Sequence, residues 1–213
     1  MKITFHEVMP KPLAHLQHQS KSIWGAHFAL ETGEKIMLNA TSGKGKTTFT
    51  HLLSGLRKDY NGTVFFDDHD ISQFNPSDWS SWRRKKIAFV FQDLQLFPKL
   101  TVKENLELKN NLTHTFSEQT MRTMLEALEI EGKWDAPCEI LSMGQQQRVA
   151  IIRALAQPFD WLIMDEPFSH LDKGNASRAL ELIDERCAEL NAGFVLTSLG
   201  DQHEYDYDRE LKL

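Results

Sequence analysis

Apolar, β-branched and aromatic residues cluster in short runs along this chain. They predict strands at Ile3 to Val8, Ile23 to Leu30, Lys35 to Leu38, Thr63 to Phe66, Ile87 to Phe91, Trp161 to Met164 and Phe194 to Thr197. Arg209 to Leu213 is a further strand-like run. Helical spacing replaces alternation elsewhere. Phe49, Leu52, Leu53 and Leu56 recur on one helix face, as do Met121, Met124, Leu125 and Leu128, and then Val149, Ile152 and Ala156. Ser117 suits the N-cap of the second helix and Pro158 the stop after the third. A further helix is expected from about Ala176, with Leu180, Ile183, Cys187 and Leu190 inward, before Asn191-Ala192-Gly193 turns the chain. The stretch from 93 to 157 changes character and reads as a helical insertion in an α/β core.

Between the run ending at Leu38 and the helix carrying Phe49 lies Ala40-Thr41-Ser42-Gly43-Lys44-Gly45-Lys46-Thr47-Thr48. A glycine-rich turn from strand into helix points successive backbone N–H groups into one concavity, and the helix N-terminus adds partial positive charge. Phosphate oxygens suit that concavity. Lys46 would reach the β and γ phosphates of a nucleotide, and the Thr47 hydroxyl would ligate a magnesium ion bridging them. Ala40 stands where the usual pattern begins with glycine.

A second motif supplies acids. Trp161-Leu162-Ile163-Met164 runs into Asp165-Glu166-Pro167, placing two carboxylates at a strand tip, where parallel sheets present ligand-binding groups. Asp165 would hold the magnesium through water, and Glu166 would orient or deprotonate the water attacking the γ-phosphate.

Composition narrows the function classes. The 213 residues, 41% of them hydrophobic, suffice for one core, and a formal net charge of −6 argues against a nucleic-acid partner. Cys138 and Cys187 lack metal-ligand spacing and read as plain thiols. No apolar run approaches the ~20 residues that span a bilayer, and no secretory leader is evident at the start. Arg83-Arg84-Lys85-Lys86 is the basic run; it reads as a solvated helix end, with contact to lipid headgroups or a partner as the alternative.

The segment Leu141-Ser142-Met143-Gly144-Gln145-Gln146-Gln147-Arg148 lies between the two motifs, and with it the chain resembles an ATP-binding cassette (ABC) ATPase over nearly its whole length. The family signature, Leu-Ser-Gly-Gly-Gln followed by a helix, is matched except at Met143. The resemblance implies an α/β fold: a P-loop NTPase core with mixed sheet, an antiparallel β subdomain, and an inserted helical subdomain. It implies a single cassette domain over 1–213, with the core near 1–92 and 158–213 and the helical part near 93–157.

The implied ligands are ATP and Mg2+, with Ser42 to Thr48 of one subunit closed over by Ser142, Gly144 and Gln145 of another. Phe89-Val90-Phe91-Gln92 matches the strand whose glutamine touches magnesium, and Leu96 to Asn105 the segment that helps form a docking groove for membrane subunits. Ser169-His170-Leu171-Asp172 matches the loop that couples the two sites.

Glu166, Lys46 and Gln92 are therefore the implied catalytic residues, and Thr47, Gln92 and Asp165 the implied metal ligands. The implied partners are transmembrane permease subunits and a second cassette, at the inner face of the cell membrane. The Val-Phe-Gln and Glu104-Asn105-Leu106 wording is closest to the lipoprotein-releasing, macrolide-export and cell-division group.

Two features depart from the family. Leu199 falls where the family has a histidine that contacts the γ-phosphate, and His203 is the nearby substitute. No aromatic residue stands near Pro12 to stack on adenine; Trp24 is the other aromatic in range, and its place on an amphipathic strand favours core. The chain ends at Leu213, and a regulatory C-terminal domain is not expected. A weakly hydrolysing regulatory cassette and a soluble, non-transport ABC ATPase are the competing readings.

Overall fold

The computed structural model describes residues 1–16, 22–39, 41, 43–198 and 205–213. Strands β1 (Ile3–Pro10), β2 (His27–Leu30), β4 (Tyr60–Phe66) and β5 (His69–Asp70) form an antiparallel sheet in the order β2-β1-β4-β5. Strands β3 (Lys35–Asn39), β6 (Ile87–Val90), β7 (Trp161–Asp165), β8 (Gly193–Ser198) and β9 (Arg209–Lys212) form a second sheet in the order β6-β7-β8-β3-β9. Every pairing in the second sheet is parallel. The core sheet, expected to be mixed, is wholly parallel among the described strands, and the expected antiparallel strands form the other sheet.

Strands β6, β7 and β8 are mainly apolar runs because both faces are covered, whereas the edge strand β9 alternates half-buried and exposed residues. Along β7, Trp161 and Ile163 enter the core shared with the antiparallel sheet, while Leu162 and Met164 enter the core shared with the helices that follow. Ile87 and Val195 face the first core, and Ala88, Val90, Phe194 and Leu196 the second. The first core also holds Phe49, Leu52 and Leu53 of α1 (Lys46–Leu53).

The expected strand from Ile23 is shorter than its apolar pattern. Gly25, at φ 79°, turns the chain, so β2 starts at His27, and Ser22 makes only an isolated bridge to Lys212. Two helices were not legible from periodicity: α2 (Pro76–Lys85), of which only the basic end was read, and α3 (Val102–Asn110). Both open with a capping box, Asn75 with Asp78 and Thr101 with Glu104, and that local signal announces them better than their weak apolar faces.

Helix α4 (Glu118–Ala127) is capped by Ser117 as expected, and α5 (Met143–Leu155) ends before Pro158. Helix α6 (Lys173–Leu190) starts three residues earlier than its apolar stripe because Asp172 caps it, and Asn191, at φ 50°, ends it. Cys187 is buried on its inner face, where desolvation pushes the thiol up to about 12.

Candidate functional site

The parallel sheet brings together segments far apart in sequence. Because β3, β6, β7 and β8 all run the same way, their carboxyl ends share one edge, and the glycine-rich turn, Gln92 and the Asp165-Glu166 pair all leave from it.

Within the turn, Gly43 and Gly45 have φ of 79° and 105°, which side-chain-bearing residues rarely adopt. Gly45 is also pressed from below: a Cβ there would lie 2.6 Å from Leu13 Cδ1 and 3.2 Å from Trp24 Nε1. Trp24 is buried, and its indole N–H donates to the Lys44 carbonyl at 3.2 Å, so the ring supports the turn from inside the core. Thr41 and Gly43 are exposed, and Lys44, Thr47 and Thr48 are half-buried. Ala40 and Ser42 lie outside the described residues, as do Leu199 and His203.

Lys46 is buried at the start of α1, with Nζ 3.3 Å from Oε1 of Glu166. Asp165 is 1% exposed, and its Oδ1 accepts the Thr197 hydroxyl at 2.7 Å. The same hydroxyl oxygen accepts the Glu166 N–H at 3.0 Å. Glu166 has φ 49°, a left-handed conformation that costs a non-glycine residue of order 1 kcal/mol or more.

The Glu166 backbone is held on its other side by Gln147. This side chain, 1% exposed on α5, donates to the Glu166 carbonyl at 3.2 Å and to Ser169 Oγ at 3.3 Å. Its own carbonyl accepts the His170 N–H at 3.0 Å. One buried amide thus ties the glutamate and the following loop to the helix that opens at Ser142.

At that helix start, Ser142 and Gln145 form a capping box: the Ser142 hydroxyl accepts the Gln145 N–H, and the Gln145 side chain accepts the Ser142 N–H at 2.9 Å. They bond to each other rather than to the glycine-rich turn. Gly144 lets the 166–170 loop pass close by, since a Cβ there would sit 2.7 Å from the His170 carbonyl oxygen. Met143, in the position of the signature's first glycine, is 51% exposed. Arg148 fastens the helix to its neighbours through the Leu128 carbonyl at 2.6 Å and Asn175 Oδ1 at 2.9 Å.

Gln92 is exposed just beyond β6. The residues after it turn through Leu94 and Gln95, at φ 57° and 52°, whose carbonyls accept the two arms of Arg153 at 2.7 and 2.6 Å. Asn105 fixes the next stretch: its carbonyl accepts the Phe97 N–H, and its amide donates to the carbonyls of Phe97, Leu100 and Thr101.

Sequence reasoning missed Gln147 and Thr197. Thr197 is recognisable only from strand register, because it pairs with Asp165 across β7 and β8. Gln147 lies in the signature segment, but nothing local marks which of three successive glutamines turns inward.

Comparison with known proteins shows the family and the fold. The family described as ABC transporter matches residues 24–169. The lipoprotein-releasing system ATP-binding protein LolD 1 of Chlorobium chlorochromatii (strain CaD3) is 32% identical over 174 residues, covering 80% of this chain and 71% of that protein. HrtA of Staphylococcus aureus (strain bovine RF122 / ET3-1), an ATP-binding protein named for hemin import, is 33% identical over 202 residues, covering 92% and 89%. Among solved structures, the dimeric bacterial ABC transporter cassette MJ0796 superposes with a TM-score of 0.80 at 27% identity, covering 99% of this chain and 94% of that one.

Proposed function

Because this chain belongs to the ABC transporter family, as the ATP-binding subunit of such a transporter, we propose that it hydrolyses ATP and energises its membrane partner by closing on a second cassette. The observation that carries this reading is the cluster of Lys46, Asp165 and Glu166 at one sheet edge, joined through Gln147 to the helix that begins at Ser142.

ATP phosphates would lie against the backbone of residues 40–48, with Lys46 on the β and γ oxygens. Those oxygens compete with the Glu166 carboxylate for the ammonium, so phosphate binding would release Glu166 toward the attacking water. The Thr47 hydroxyl, the Asp165 carboxylate and the Gln92 amide oxygen are all hard oxygen donors, a set that suits Mg2+. When bound, the ion would neutralise charge developing on the phosphate oxygens.

The second cassette would present Ser142, Gly144 and Gln145 to the γ-phosphate, the free N–H groups of its α5 adding helix-dipole attraction. ATP binding would then favour the closed pair, and hydrolysis would loosen it. No helix among the described residues is long and apolar enough to cross a membrane, and attachment to the inner membrane face would come through permease subunits. The net charge of −6 argues against a nucleic-acid partner.

Leu199 has no hydrogen-bond donor in its side chain, so turnover is expected to be slow or to depend on the partner. The test is magnesium-dependent ATP turnover by the purified protein beside Glu166→Gln. The variant should bind ATP, lose about 10²–10⁴-fold in rate and accumulate as a closed dimer. Normal turnover by Glu166→Gln would remove Glu166 from its role. ATP binding without turnover by the wild type would favour the regulatory cassette, which Leu199 keeps in view.

A further inference from the structure

Helices α4 and α6 leave a cavity of about 390 Å³ between them, lined by none of the residues at the nucleotide edge. Its size lies in the range that holds small organic molecules. Met124 of α4 and Leu182 of α6 give it apolar walls, and Ser117 and Thr120 bring the capped N-terminus of α4 into the lining. Their hydroxyls lie 2.9 Å apart and share one hydrogen bond, so one hydroxyl hydrogen is left to donate. The first two N–H groups of α4, at Glu118 and Gln119, precede the capped Thr120 N–H and have no acceptor within the helix.

Arg186 of α6 lines the same cavity and is 8% exposed. Its guanidinium lies over the Phe116 ring, with Cζ 4.6 Å from the centroid. One of its five N–H donors is engaged among the described residues: Nη1 donates to Glu189 Oε2 at 2.8 Å. Nε is buried with no hydrogen-bond partner. The Glu189 side chain is 63% exposed, so water screens its carboxylate and weakens its hold on the arginine. The cavity therefore contains a buried cation with more donors than the chain supplies acceptors.

We propose that this cavity binds a small amphiphilic carboxylate, with its head on Arg186 at the N-terminus of α4 and its short apolar body against Met124 and Leu182. A guanidinium offers paired N–H groups that match the two oxygens of a carboxylate, and a helix N-terminus favours negative charge. Glu189 is the chain's own stand-in for that head, and the ligand would displace it. Glu185 also lines the cavity, but it is exposed and screened by water, whereas Arg186 is buried. Inorganic phosphate would bring further negative charge beside both glutamates and leave Met124 and Leu182 uncovered. An ammonium head would meet the arginine. This site stands apart from the nucleotide reading, because it shares no residue with it. A ligand there would touch both α4 of the helical insertion and α6 of the core.

The experiment is isothermal titration of the full chain with octanoate, compared with octanamide, octylammonium and inorganic phosphate. Octanoate should bind one to one and at least about tenfold more tightly than each of the other three. Arg186→Met should lose at least about tenfold in octanoate affinity. Glu189→Gln removes the competing carboxylate and should tighten octanoate binding by about threefold or more. Glu189 lies at the surface, so this second variant keeps the test decisive even where Arg186→Met fails to fold. Equal affinity for octanoate and octanamide, absence of octanoate binding, or tighter binding of octylammonium or phosphate would overturn the proposal. So would an octanoate affinity that survives Arg186→Met in a folded protein or that falls in Glu189→Gln.

Discussion

Lys109 carries a charge that works against the fold. Its ammonium has a neutral amide as partner, and desolvation and then the Arg153 and Arg83 charges disfavour its protonation. Lys109→Met should therefore stabilise the chain at neutral pH by about 1–3 kcal/mol, read from urea midpoints. The sign of the pH dependence follows from linkage. With a folded value of about 8 and an unfolded value of 10.5, the unfolded state binds more protons between those limits. The variant's advantage should be full below about pH 8 and shrink as pH rises toward 10.5. An advantage that grew with pH would contradict this account.

At the same scale, Gln147 is a positioning residue. Its loss would leave the His170 N–H without its side-chain acceptor, leave the Glu166 carbonyl with only the Ser169 N–H at 3.3 Å, and loosen a strained backbone. Gln147→Met should lower kcat at least about tenfold with little change in nucleotide affinity. An equal loss in both would instead indicate general misfolding of the site.

At the scale of elements, α5 connects the parts. Its first turn carries the Ser142–Gln145 capping box, its second turn carries Gln147 and Arg148, and Arg153 near its end grips the loop beyond Gln92. One helix thus ties the loop after Glu166 to the loop after Gln92. The close approach at its N-terminus is steric. Gly144→Ala would improve intrinsic helix propensity by roughly 1 kcal/mol, yet its methyl would meet a backbone oxygen at 2.7 Å. Backbone cannot swing aside as a side chain can, so the clash should win, with a net loss of about 1–3 kcal/mol in denaturant unfolding. Stabilisation by this substitution would show that the 166–170 loop yields freely.

For the whole molecule, the two cores on opposite faces of the parallel sheet explain why β6, β7 and β8 are mainly apolar while the edge strand β9 is not, and the antiparallel sheet shares only the first core. The chain's own Ser142 and Gln145 are engaged with each other, and the proposed catalytic cluster lies beyond Gln147, so the proposed nucleotide between two copies would use both halves. Glu166→Gln with ATP and magnesium should elute at twice the monomer mass in light scattering, and the same protein without nucleotide as a monomer. A monomer under both conditions would remove the paired mechanism.

The sequence by itself determined the parts whose cause is local. The glycine-rich turn, the apolar tetrad ending in Asp165-Glu166 and the signature segment are contiguous strings in which each residue type answers to backbone geometry or charge a few positions away. Strand positions and the Ser117 cap were legible for the same reason. Two short helices were legible only through their caps, because Val102 and Leu106 alone make too narrow a stripe in α3 to register as a period. Tertiary structure alone decided which glutamine holds Glu166, that Thr197 bridges both acids, that Gly144 clears the His170 carbonyl, and that Gln157 links Lys109 to the Ile87 carbonyl. Those relations join residues 19 to 70 positions apart, and strand order and helix packing bring them together, not local spacing.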